Sequence, residues 1–305
     1  MSRETKLTVW LGLTFLSVCL PTMAIAGSTV VAPHETQLTH DGFLKRDPVF
    51  WPGGKELFYT VEAKTGHMRI VRMNLETGEV SQFDERTDLS DREMSVSADG
   101  QVYAFNVVSG LSSKIHVVDN VRERRVTMPK MGKKTWSNWP SVSPDGTRVL
   151  FTEGAAVIYS FDLLTANGQK HVTRLSPVGS TSVSDYWPRF SPDGETIVFT
   201  SNRDDDFEIY VMHNDGSLQR RLTNSPGIDM HPSYSPDGQH IAFTSNRDGN
   251  YEIYVMNANG DEATRVTNNP ERDDHVCWTL TGDAIVYVSE RKGRFDLFRR
   301  SLLLK

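Results

Sequence analysis

Ser191-Pro192-Asp193-Gly194, running on through Glu195-Thr196-Ile197-Val198-Phe199-Thr200-Ser201-Asn202-Arg203-Asp204, returns 44 residues later as Ser235-Pro236-Asp237-Gly238 and Gln239-His240-Ile241-Ala242-Phe243-Thr244-Ser245-Asn246-Arg247-Asp248. Ser143-Pro144-Asp145-Gly146 repeats the tetrapeptide and Ser97-Ala98-Asp99-Gly100 differs from it at one position. Trp51-Pro52-Gly53-Gly54 and Thr279-Leu280-Thr281-Gly282 are degenerate copies. The closing glycines fall at 54, 100, 146, 194, 238 and 282, at steps of 46, 46, 48, 44 and 44. A fixed period of this size is the mark of a repeat architecture, with one supersecondary unit per period.

Each tetrapeptide follows an apolar run, ending for example at Phe190, Tyr234 or Trp278, and precedes a β-branched and aromatic one. Two such runs joined by Pro-Asp-Gly predict a hairpin, because proline presets φ, aspartate caps turn donors and glycine takes the left-handed conformation. A third run (Glu208–Met212, Glu252–Met256, Phe295–Phe298) and a short fourth (Arg221–Thr223, Arg265–Thr267) complete the repeat. Four antiparallel strands in about 45 residues describe a β-propeller blade. Six copies predict an all-β, six-bladed β-propeller with four antiparallel strands per blade. The sixth copy has no fourth run before Lys305, whereas Glu35-Thr36-Gln37-Leu38-Thr39 resembles an orphan one. The N-terminal strand is therefore expected to complete blade six and close the ring, leaving no open edge.

Residues 1–26 read as a signal peptide: Arg3 and Lys6, an apolar run from Leu7 to Leu20, then Ala24-Ile25-Ala26 ahead of Gly27. Residues 27–305 are then one propeller domain, exported and with no membrane span after cleavage. The formal net charge is −6, and losing Arg3, Lys6 and Glu4 makes the mature chain one unit more negative. That argues against a nucleic-acid partner. Cys19 leaves with the signal, so Cys277 has no intramolecular partner and is expected to pack in the inner strand of blade six. No Gly-x-Ser-x-Gly, His-Glu-x-x-His, Cys-x-x-Cys or phosphate-binding glycine loop occurs, and no residue is assigned a catalytic role.

The pattern Asp-x-x-Pro-x-Phe/Tyr-Ser-Pro-Asp-Gly, then Phe-Thr-Ser-Asn-Arg-Asp, Glu-Ile-Tyr-Val-Met and Arg-Leu-Thr resembles the TolB-type (WD-like) propeller repeat. Residues 185–223 and 229–267 carry it most closely, and by spacing it extends over about 35–305. The resemblance implies a periplasmic propeller of the envelope that binds a protein partner without catalysis. In TolB itself the propeller binds the peptidoglycan-associated lipoprotein, so a periplasmic or outer-membrane envelope protein of that kind is the implied partner of a monomer. TolB carries an α/β domain ahead of its propeller. Only Gly27 to His34 precedes the first expected strand here, so contacts made through that domain are not carried over. A relative of this repeat, the oligogalacturonate-lyase type, holds a metal and catalytic histidines at the axis. The resemblance therefore also implies an alternative: a cation-dependent enzyme or a carbohydrate-binding protein.

Duller roles account for several conspicuous residues. Asp145, Asp193 and Asp237 are expected to cap their turns, and the Ser-Asn-Arg-Asp repeats to order the loop between strands two and three. The basic cluster Arg122, Arg124, Arg125, Lys130, Lys133 and Lys134 reads as a solvated edge. Trp136, Trp139 and Trp187 are expected to pack between blades, or to stack on a sugar ring near the axis. The repeat register leaves one constellation. Nine residues before each glycine stand Lys45, Asp91, Ser137, Asp185, Asp229 and Asp273; seven before stand Asp47, Glu93, Trp139, Trp187, His231 and His275. Equivalent positions of inner strands converge on the axis. Asp91, Asp185, Asp229 and Asp273, with His231 and His275, are thus the candidate binding residues at an acidic channel mouth. Such a mouth would draw a basic partner segment, or calcium or another divalent cation; no other cofactor is expected.

Overall fold

The computed structural model describes residues 34–303 apart from 63–65, 85–88, 133–135, 155, 166–171 and 178–182. The segment read as a signal peptide lies outside the described residues, as do Lys133 and Lys134. Among the described residues the secondary structure is all strand: six sheets of four antiparallel strands each. Five sheets take their strands in chain order from an inner strand outward. These inner strands are Lys45–Phe50, Ser90–Val96, Ser137–Val142, Asp185–Phe190 and Asp229–Tyr234. The sixth is assembled from both ends of the fold. Asp273–Trp278 is its inner strand, then come Ala284–Arg291 and Arg294–Ser301, and Glu35–Gln37 forms the outer edge, pairing Glu35 with Arg300 and Gln37 with Phe298. The six-bladed propeller and its N-terminal closing strand are both as the repeat register implies. The fourth strands of blades four and five are only Arg220–Arg221 and Thr264–Arg265.

Turn chemistry sets the hairpins. The six repeat glycines have φ between +66° and +75°, and each donates its N–H to the carbonyl three residues back, as Gly194 does to Ser191 at 2.9 Å. Asp193 Oδ1 accepts from Ser191 Oγ at 2.5 Å and Glu195 N at 2.9 Å; Asp237 accepts from Ser235 Oγ at 2.5 Å and Gln239 N at 3.0 Å. Asp145 does the same with Ser143 and Thr147. These bonds hold the three carboxyls below the usual carboxylate range, so the aspartates are turn caps.

The apolar cores lie between blades. There are six buried clusters among the described residues, and each joins two neighbours: Val102, Ala104 and Ile115 with Val149 and Phe151, for instance, or Leu57 and Tyr59 with Val286 and Leu297. The second joins blade one to blade six and so closes the circle. Second strands are covered on both faces, as at Ile197, Val198 and Phe199, which is why they read as unbroken apolar runs. Cys277 sits in the inner strand of blade six opposite Val286 and packs against the closing cluster. Burial pushes its thiol up to about 12.

Glu35 clasps the closing strand. Tyr287 Oη donates to its carboxylate at 2.5 Å and Arg291 Nη2 at 2.6 Å, with Arg300 at 3.5 Å. Deeper in, Leu38 N donates to Leu297 O at 2.7 Å and Thr39 Oγ1 to Asp296 at 2.8 Å. Glu35→Ala should cost about 2 kcal/mol, the scale of hydrogen bonds to a charged group. Truncation through Thr39 should lower the calorimetric midpoint far more, by exposing the whole edge of blade six. Equal midpoints for truncated and intact protein would mean that the ring does not depend on this strand.

Candidate functional site at the propeller axis

Each inner strand carries the same irregularity at the same place. In blade four the ladder pairs Tyr186 with Thr200 and then Arg189 with Val198, so Trp187 and Pro188 stand opposite Phe199 alone. The same two-against-one bulge places Asp47, Glu93, Trp139, His231 and His275, each with its following residue, opposite Tyr59, Phe105, Phe151, Phe243 and Tyr287. All six partners are aromatic and buried. The six bulge residues all have positive φ, from 50° to 60°, a conformation few non-glycine residues adopt. Four of the six next residues are prolines, Pro48, Pro140, Pro188 and Pro232. Proline has no N–H to give a ladder and is tolerated inside a sheet at a bulge.

The bulges bring these side chains into a ring around the axis. Trp139 and Trp187 have centroids 5.2 Å apart, Trp187 and His231 4.2 Å, and His231 and His275 are stacked at 4.2 Å. His275 Nδ1 lies 3.1 Å from Asp47 Oδ1, and Glu93 Oε2 accepts the Trp139 N–H at 2.8 Å. The ring lines a cavity of about 650 Å³ that also takes in Arg46, Arg92, Arg272, Asp274 and Glu290.

The register reading brings His231 and His275 together as expected, but the four aspartates do not reach the cavity wall. Asp185 is 1% exposed and bonded to Arg203 at 3.0 Å; Asp229 is fully buried and bonded to Arg247 at 2.7 Å. Asp273 accepts from Asn269 at 3.0 Å, and burial pushes its carboxyl up to about 6. Asp91 is equally buried. The arginines come from the Ser-Asn-Arg-Asp repeats, so that motif straps the second strand to the start of its blade's inner strand. Its asparagines reach the preceding connector, Ser184 N at 2.7 Å from Asn202 and Ile228 N at 2.6 Å from Asn246. Asp204 and Asp248 are held by the hydroxyls of Tyr210 and Tyr254. Lys45 fills the equivalent place in blade one, buried between Asp41 and Asp296.

The acidic mouth read from the sequence is therefore a wall of mixed charge. Asp274, one residue past a predicted site, is its hub. Its Oδ1 accepts from His231 Nδ1 at 2.6 Å, His275 N at 2.7 Å and Thr244 Oγ1 at 2.8 Å, while Arg272 engages Oδ2. Burial and Asp274 act oppositely on the two imidazoles. Burial wins at His231 and lowers its pKa; at His275 the charges of Asp274 and Asp47 together outweigh burial and raise it. Asp47 is buried as well, but His275, His231 and Arg189 hold it down at about 2. Glu93 is pushed up to about 7 by burial, which Arg92 only partly offsets. Arg189, below the ring, was not singled out by the register; two positions beyond the bulge in an inner strand is the signal that would have found it.

His231, Asp274 and His275 bring ligand atoms within 4.8 Å of one another, the spacing of a metal site. The donor chemistry does not fit a cation. Asp274 already takes three donors on one oxygen and an arginine on the other, which saturates its lone pairs. A bound ion would have to displace Arg272. With Arg272 in place only the two imidazoles of the triad remain, too few for the usual site.

Residues 171–303, the last strand of blade three through blade six, match the family described as the TolB beta propeller domain. The resemblance read from the repeats thus holds over that span. No curated protein matches the chain. Among solved structures, one assigned to TolB from Agrobacterium tumefaciens is 21% identical, over 87% of this chain and 93% of that one, at a TM-score of 0.65. An oligogalacturonate lyase in complex with manganese is 17% identical over 88% and 80%, at 0.61. A gluconolactonase from Xanthomonas campestris is 14% identical over 89% and 90%, at 0.64. At these identities the likeness shows the fold.

Two outcomes follow from the site's electrostatics. Asp229→Asn should destabilise the protein by about 2 kcal/mol in chemical denaturation, since Arg247 loses its charged acceptor. Glu93 binds a proton in the folded state that the unfolded chain has released between about pH 4.5 and 7, so its contribution to stability falls as pH rises through that window. Glu93→Gln should therefore raise the melting midpoint more at about pH 8 than at about pH 5. An equal gain at both would place the titration elsewhere.

Proposed function

We propose, from TolB-type repeats over residues 171–303 as the premise, that this chain is an exported periplasmic scaffold that binds without catalysis. Its axial cavity receives an envelope ligand or a segment of an envelope protein, with a peptidoglycan-associated lipoprotein as one such partner. The observation that supports this most is the ring itself. Its ionisable groups are engaged by their neighbours: His275 by Asp47, His231 by Asp274, and Glu93 by the Trp139 N–H. A wall of mutually held groups is rigid and shaped for recognition, and its two indoles offer the flat apolar area that binding sites favour. Cys277, with its thiol pushed up to about 12, is no activated nucleophile. The signal-like segment at residues 1–26 supports export.

The oligogalacturonate-lyase-like alternative draws on the triad His231, Asp274 and His275. Arg272 on Asp274 weighs against a cation there, which favours the binding role.

The test couples location to the cavity. Fractionated cells should yield the protein in the periplasm, beginning at Gly27. Immobilised protein should retain an envelope component that Trp139→Ala and Trp187→Ala lose while their melting curves stay cooperative. Retention unchanged by either substitution would move the binding surface elsewhere. One transition-metal ion per chain, lost in His231→Ala, would overturn the non-enzymatic reading in favour of the cation-dependent one.

A further inference from the structure

We propose that the group recognised in the axial cavity is a carboxylate, borne next to a flat ring and held by Arg46 and Arg92. The inference rests on the binding role above and adds the chemistry of what is bound. Few of the polar groups on the wall still have bonding capacity.

The carboxylates have little to spare. Asp274 carries a full set of donors; Asp47 is bonded to His275 and faces the charge of Arg189; Glu93 Oε2 is taken by the Trp139 N–H. The arginines differ. Arg272 is committed to Asp274. Arg46 is exposed and makes no hydrogen bond or ion pair with a described residue. Arg92 gives Nη2 to Asn138 Oδ1 at 3.1 Å, while its buried Nε has no hydrogen-bond partner and lies 3.5 Å from Glu93 Oε1. Arg46 and Arg92 occupy the same register position, eight residues before the repeat glycine, in adjacent blades. Their Cα atoms therefore sit side by side on the inner-strand ring, and both side chains line the cavity.

Two guanidinium groups with free donors suit an oxyanion, because the planar fork matches a carboxylate in a bidentate bond. Glu290 sets a limit. It lines the same cavity from the second strand of blade six with no described ion-pair partner, so it repels a second negative charge and favours a monoanion. Trp139 and Trp187, which follow Arg92 round the ring, supply the stacking surface for a ring attached to that carboxylate. A low-dielectric pocket strengthens each of these contacts relative to open water.

Four probes and three variants test this, using the whole chain and tryptophan fluorescence or calorimetry. Benzoate and benzamide share a shape and differ in charge; N-acetylphenylalanine and its amide do the same for a peptide C-terminus. Each acid should bind about tenfold or more tightly than its amide, the scale of a charge-assisted pair. That preference should shrink with salt, vanish in Arg46→Gln and Arg92→Gln, and be restored in part by Arg46→Lys. Tighter binding of benzoate points to a free organic acid as the source, and of N-acetylphenylalanine to a peptide terminus. Amides that bind as well as the acids, or no binding by any of the four, overturn the carboxylate assignment. The scaffold role still stands in that case if an envelope component is retained in a Trp187-dependent way, and falls if none is. Because Arg46 is exposed, Arg46→Gln should fold normally, so loss of binding there reads on recognition.

Discussion

One backbone constraint carries the rest of this structure: each inner strand must fit two residues against a single buried aromatic of the second strand. Tyr59, Phe105, Phe151, Phe199, Phe243 and Tyr287 occupy that place in the six blades, and the residue across the bulge is forced to positive φ. A side chain that would otherwise alternate between blade faces is turned toward the axis instead. A bulge re-aims one residue at a local conformational cost, and such devices cluster at functional sites. Here the cost is incurred six times, and the result is a ring.

Because the ring is contiguous, its electrostatics behave as one system. His231 and His275 share Asp274 and stack on one another, so protonating one raises the cost of protonating the other. Burial and charge push the two pKa values in opposite directions. Across the ring, Asp47 stays ionised at about 2 while Glu93 rises to about 7. Arg189 beneath them supplies positive charge to both. The axis thus combines fixed charges, titratable groups and two indoles in a space the size of a small ligand.

The blades solve a common problem with different residues. Blades four and five strap the start of the inner strand with Arg203 on Asp185 and Arg247 on Asp229, and each arginine stacks on a tyrosine, Tyr210 or Tyr254, at 4.7 Å. In blade six Arg291 stacks on Phe298 and reaches Glu35 of the closing strand instead. Asp273 is left to Asn269 and Ser289, with a raised pKa. The arginine that would have neutralised it holds the ring shut. Blade one substitutes Lys45, bound to Asp41 and Asp296. Ring closure and blade ordering therefore draw on the same small set of charges.

The order of residues alone establishes the number of blades, the hairpins, the closing strand and the turn role of Asp145, Asp193 and Asp237. All of these rest on local chemistry: a glycine needed at positive φ, a proline that presets a turn, and apolar runs at a fixed period. It also placed His231 and His275 together, since equivalent positions in a closed ring must face the axis. Which neighbouring side chains share that wall is set by packing within and between the blades. A strand alternates its faces with period two, so one extra residue in a bulge reassigns everything beside it. Asp185, Asp229 and Asp273, two residues before the bulge, turn into their blades to meet Arg203, Arg247 and Asn269, whereas Asp274, one residue nearer, meets His231 from the neighbouring blade. Apart from Asn269, four residues before Asp273, those partners lie 18 or 43 residues away along the chain and meet only through packing that no local pattern of residues encodes.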